Sequence, residues 1–135
     1  MEWINDQFEE DSGRKFIVIS HVYPGARFKE FQLWNDKPNT IYFDVLERNK
    51  DKILIELAGH DHLASLRAAM ADDERAYHNI FIAPSITPWY KNNPGVSSFE
   101  VTGQLMPQNL RSTYLNLQQT FGYEEPLPED QLEFR

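Results

Sequence analysis

Cysteine is absent from all 135 residues, so neither a disulfide framework nor a thiolate zinc knuckle is possible. Basic residues are scarce relative to acids, 13 against 21, for a net charge of −8. That balance works against a nucleic-acid partner, because affinity for a phosphate backbone comes from its neutralisation by Lys and Arg. No apolar run approaches the ~20 residues of a membrane span. Met1–Glu10 is too acidic and amphipathic to read as a signal peptide. Internal repeats and low-complexity segments are missing too. With 41% hydrophobic and 13% aromatic residues, the chain suffices for the core of one domain.

The most informative stretch is Ile53–Leu63, ILIELAGHDHL. Its apolar, β-branched run has the length of a buried strand, and Glu56 is its only charge. Gly59 breaks the run, where a glycine permits a tight turn and close backbone approach. His60 and His62 follow it, separated by Asp61. A second apolar run, in KFIVISHVYPG (Lys15–Gly25), ends on His21 before a Pro24-Gly25 turn. A third, in NIFIAPSITPWYKNNPG (Asn79–Gly95), opens into a loop rich in Pro, Asn and aromatics. Three strands are therefore expected to deliver their loops to one rim, with His21, His60 and His62 clustered at strand C-terminal edges, where open α/β folds place ligands.

Around them, Met1, Ile4 and Phe8 form one stripe of an amphipathic helix, and Phe16–Ile19 reads as a buried strand. The spacing of Phe28, Phe31 and Trp34 suggests a short helical turn packed on the sheet. Pro38 and Asn39 read as a break and an N-cap for a helix over Thr40–Asn49, with Ile41, Tyr42, Val45 and Leu46 inward. Leu63–Arg67 continues as a strand and Ala68–Arg75 as a connector. His78 opens the next strand, so a structural or surface role facing away from the rim is expected. Ser85 lacks the strand-to-helix elbow and neighbouring base of a nucleophile. Tyr90, Asn92 and Asn93 are candidates for contacting a substrate. Ser97–Val101 alternates as a strand, and Leu110–Phe121 fits a strand marginally better than a helix. Residues 122–135, with two prolines and five acids from Glu124 on, read as an extended acidic tail.

Three ordered motifs in Phe16–Val101 resemble the calcineurin-like metallophosphoesterases, and among them the acid-sphingomyelinase-like branch. His21 in SHVYPG resembles the histidine of a GHxPPG-type motif, GHDH at Gly59–His62 a closing GHxH motif, and Ala83–Val101 an APSxT and NPG segment. Ser20 stands where a glycine is common, and Tyr23 replaces the first proline of the pair. The resemblance implies a layered α/β fold, the C-terminal half of a β-sandwich flanked by helices, with residues 1–135 as one partial domain. It further implies two divalent metal ions (zinc, or iron or manganese), with the residues matching His21 and His60 on one and the residue matching His62 on the other. Implied as well is hydrolysis of a small-molecule or lipid phosphomonoester or phosphodiester, in a secreted or lysosomal setting. The family's DxH, GDxxD and GNH motifs do not occur here. The chain is therefore expected to open inside an internal helix and to need a missing N-terminal half or an oligomeric partner, with no catalytic residue beyond the metal ligands.

Imidazole suits such cations, binding zinc at about 2.0–2.1 Å. Asp61, between two ligands, must point away and is expected to orient the loop or a ligand's second nitrogen. The competing class is a non-catalytic interaction or scaffold protein descended from the same fold. A one-metal structural module would need a fourth ligand that the sequence does not obviously offer.

Overall fold

The computed structural model describes residues 1–10, 13–28, 31–89, 92–104 and 107–121. Tyr90 and the expected acidic tail of residues 122–135 lie outside them. In chain order the elements are α1 (Glu2–Glu10), β1 (Phe16–Ile19), β2 (Ala26–Phe28), β3 (Phe31–Gln32), α2 (Asp36–Arg48), β4 (Ile53–Ala58), β5 (Ser65–Met70), β6 (Ala76–Ile82), β7 (Gly95–Val101), β8 (Pro107–Tyr114) and α3 (Leu117–Phe121). The central sheet has the order β1-β4-β6-β5, with β1, β4 and β6 parallel and β5 antiparallel to β6. β2–β3 and β7–β8 form two separate antiparallel ribbons. The architecture is thus mixed α/β, as expected, and no described helix is long and apolar enough to cross a membrane.

The core forms where two amphipathic helices meet one face of the sheet. Phe8 of α1 is buried edge-on to Phe16 of β1, with ring centroids 5.0 Å apart. Tyr42, Val45 and Leu46 of α2 complete this cluster with Ile53 of β4, and a second cluster joins Tyr23 to Ala58, Ile80 and Ile82. The periodicity of α2 turns Tyr42, Val45 and Leu46 inward as expected but leaves Ile41 exposed, and the helix starts earlier than Thr40. Asn35 is its N-cap and Pro38 lies in its first turn. Amides there have no intrahelical acceptor, so a proline costs no hydrogen bond. Asn39, expected as the cap, instead accepts the Gly25 amide on its Oδ1 at 2.7 Å. Gly25 has φ +86°, a left-handed conformation that favours glycine.

Four further expectations need correction. β1 is an edge strand, with Ile17 and Ile19 exposed on the face away from the helices. β2 and β3 pair as an antiparallel ribbon in place of the expected helical turn, with Phe28 opposite Phe31. Trp34 packs on Tyr42 at 5.1 Å, but Phe31 is 61% exposed, so its spacing from Trp34 reflects pairing and not a buried stripe. The strand after the GHDH loop runs on to Met70, because β5 pairs along most of β6. β8 stops at Tyr114, since Asn116 accepts the Gln119 amide on its side chain and starts α3.

Leu46 is fully buried at the centre of the helix–sheet contact. Leu46→Ala should lower stability by about 2–5 kcal/mol, read as a shift of the urea midpoint with an unchanged slope.

Candidate functional site

β1 and β4 run parallel and end together. The Ser20 amide donates to Leu57 O at 2.9 Å, and the Gly59 amide donates to His21 O at 3.0 Å. This extension of the ladder sets the imidazoles of His21 and His60 side by side, with centroids 5.5 Å apart and planes at 84°. Both residues are exposed to solvent. β6 brings the third loop alongside, through Ala83 N to Ala58 O at 2.8 Å and Ser85 N to His62 O at 3.3 Å. The three loops therefore share the C-terminal edge of neighbouring parallel strands.

Gly59 leaves room for the His21 ring: a Cβ at this position would lie 3.3 Å from His21 Nδ1, and the ring would have to shift slightly. The left-handed conformations fall not on the glycine but on His60 (φ 78°) and His62 (φ 64°). Such backbone is costly for an L-residue with a bulky side chain and persists only where surrounding structure enforces it. His62 is half-buried. Its carbonyl also accepts from Asn92 Nδ2 at 3.3 Å. Among the described residues no group of three His, Asp or Glu side chains gathers to hold one ion, so His62 forms no three-ligand cluster with His21 and His60.

Asp61, expected to point away from the metals, turns inward and is buried. It accepts the Tyr23 hydroxyl at 2.5 Å and pairs with Arg27 Nε at 2.9 Å. Arg67 Nη2 lies 3.9 Å from it, and the Arg67 guanidinium sits 4.6 Å over the Tyr23 ring. The Arg67 head is further held by the carbonyls of Ala26 and Arg27 at 2.7 and 3.0 Å. Burial, then the bond to Asp61, holds the Tyr23 phenol well above its ordinary pKa range.

The other sequence candidates divide. Asn92 is buried and spends its amide on His62 O, and Asn93 Oδ1 accepts the Leu117 amide at 3.0 Å. Ser85 Oγ accepts the Thr87 amide at 3.0 Å, a turn-forming bond and not a nucleophile's environment. Ile86 and Trp89 nearby are 77% and 62% exposed. His78 is the third residue of β6 and is buried, with Nε2 3.0 Å from Glu56 Oε2. Sequence reasoning missed Glu56 itself. Fully buried, it also accepts Ser20 Oγ at 2.8 Å and the Tyr42 hydroxyl at 3.1 Å. The available signal was a lone carboxylate in an otherwise apolar strand.

No protein-family model matches the chain. The resemblance seen in the motifs does extend to individual proteins of the acid-sphingomyelinase-like branch, all named as hydrolases of phosphoric esters. The chain is 29% identical to acid sphingomyelinase-like phosphodiesterase 3b of Mus musculus over 92% of its own length and 30% of that relative's. It is 28% identical to sphingomyelinase phosphodiesterase D of Dictyostelium discoideum, covering 76% of this chain and 25% of that one. Against sphingomyelin phosphodiesterase of Homo sapiens the identity is 25%, over 76% of this chain and 16% of the relative. The chain thus spans less than a third of these relatives' length.

Burial, followed by the Glu56 carboxylate, pushes the Tyr42 phenol well above its ordinary 10.0. Above pH ~10 the unfolded chain releases this proton while the folded one keeps it, so stability falls as pH rises, by at most ~1.4 kcal/mol per pH unit. Tyr42→Phe should flatten that alkaline limb, measured as urea midpoints at a series of pH values from ~9 to ~11.

Proposed function

We propose that this chain contributes the histidine-bearing, C-terminal half of a metal-dependent phosphoesterase that hydrolyses a phosphomonoester or phosphodiester. The observation that carries this reading is the His21–His60 pair, brought to 5.5 Å at the ends of adjacent parallel strands. Two imidazoles side by side, with Gly59 leaving room for His21 Nδ1, fit a first divalent cation such as zinc, iron or manganese. His62 would serve a second cation. When bound, such cations supply positive charge that polarises a phosphoryl oxygen and acidifies a water. His21 and His60 hold and orient their cation, while Asp61 keeps the loop in place. A bridging carboxylate and a leaving-group acid would come from sequence outside this chain.

Two surfaces support the larger assembly and its substrate. On the sheet face away from the helices, Ile17, Ile19 and Leu66 are exposed beside the register partners Ile55, Leu57 and Phe81, an apolar area suited to a second sheet. Exposed Ile86 and Trp89 form an apolar tip by the histidine rim that suits a lipid phosphoester, and the relatives' names point to sphingomyelin. The second reading is a non-catalytic interaction protein on the same fold. Metal stoichiometry separates them: two ions per assembled site for the enzyme, one weakly held or none for the scaffold.

The chain alone should be nearly inert, because general acid–base catalysis typically contributes ~10²–10⁴-fold and its groups are missing. Adding the N-terminal half of a related phosphodiesterase, in trans or by fusion, should produce metal-dependent hydrolysis of a chromogenic phosphodiester. His60→Ala or His62→Ala should abolish it. Rapid turnover by the unassisted chain, unaffected by His60→Ala, would refute the assignment.

A further inference from the structure

The two positions at which the SHVYPG motif departs from its family pattern are bonded to carboxylates of β4 and of the loop that follows it. Ser20, one residue before His21, donates its hydroxyl to Glu56 at 2.8 Å. Tyr23, two residues after it, donates its hydroxyl to Asp61 at 2.5 Å. These bonds cross 36 and 38 residues of sequence, and they enclose the main-chain bond from Gly59 N to His21 O. His21 and His60 are exposed, so close packing does not immobilise their rings. What the rings have in common is this pair of side-chain ties below them.

Each tie has a rigid base. Glu56 is fully buried and is fixed from α2 by Tyr42 and from β6 by His78. Asp61 is fixed from the β2 side by Arg27, with Arg67 lying over the Tyr23 ring. Carboxylates buried with such partners have few alternative arrangements, because moving either one strands a charge or a donor. They can therefore hold His60 in its left-handed backbone conformation, which an unrestrained loop would relax.

We propose that Ser20 and Tyr23, through Glu56 and Asp61, are positioning residues that bracket His21 and His60 and hold the two imidazoles ring to ring before any cation arrives. The consequence for metal affinity rests on the phosphoesterase reading above; the arrangement of the rings does not. The bracket removes the ordering cost that two mobile histidines would otherwise meet on binding an ion. It also substitutes hydroxyl-to-carboxylate bonds for the glycine and proline common at these motif positions.

The test uses the full chain without metal. Nuclear Overhauser effects between the His21 and His60 ring protons are measured in the wild type, Tyr23→Phe, Ser20→Ala, Ser20→Thr and the Tyr23→Phe/Ser20→Ala double variant. Val45→Ala, in the helix core away from the histidines, serves as a destabilised control. Zinc affinity is measured on the same samples by calorimetry. The bracket predicts a clear ring-to-ring Overhauser signal in the wild type and in Val45→Ala despite the control's lower Tm. It predicts a weaker signal in Tyr23→Phe and Ser20→Ala, recovery in Ser20→Thr, and zinc affinity reduced about 10–100-fold in the double variant. No signal in the wild type, or an unchanged signal in the folded double variant, would overturn it. A wild type that shows the signal but binds no zinc, together with a double variant in which the signal disappears, would support the bracket and overturn the metal reading.

Discussion

The shared ending of β1 and β4 governs everything at the rim, and it depends on one irregularity at their start. The register steps from Phe16 opposite Ile53 to Ile17 opposite Ile55, leaving Leu54 as an extra residue in β4. Because side chains alternate with period two, that residue decides which face every later side chain takes. With it, Val18 and Glu56 share the helix face, and Glu56 reaches Tyr42, His78 and Ser20. Without it, Glu56 would turn to the opposite face, and the bond below His21 could not form.

Two buried carboxylates then organise loops that hydrophobic packing cannot. Burying such groups is costly unless charge or hydrogen bonding compensates, and replacement by well-packed apolar groups is often neutral or stabilising. Stability alone is thus a weak reason for Glu56 and Asp61 to be there. Their geometry supplies another. Each links a residue beside His21 to a residue near His60, so the loops are specified relative to one another as well as attached to the sheet.

The rim faces solvent while its supports are buried, an arrangement suited to a site that another part of an assembly would close. The exposed residues on the sheet's second face point the same way, since a sheet buries both faces in a layered fold. The similarity to the sphingomyelinase-type phosphodiesterases named above covers less than a third of each of those proteins. On the proposed function, activity would belong to an assembled protein to which this chain supplies positioned histidines.

Sequence by itself determined the apolar runs that became β1, β4 and β6, the inward residues of α2, and the placement of His21 and His60 just past strand ends. These are local matters: short β-branched runs favour extended backbone, helical spacing selects one face, and Gly59 allows an approach that a Cβ would hinder. Tertiary structure decided what depended on distant partners. Phe31 pairs with Phe28 across an antiparallel ribbon, Pro38 is harmless because of its place in the first turn, and Asn93 is taken by the Leu117 amide. Asp61 finds Tyr23 and Arg27, and Glu56 becomes a hub instead of an isolated charge, because residues far apart in sequence converge on them. A local pattern specifies which way a side chain points, and only the packed chain specifies what it meets.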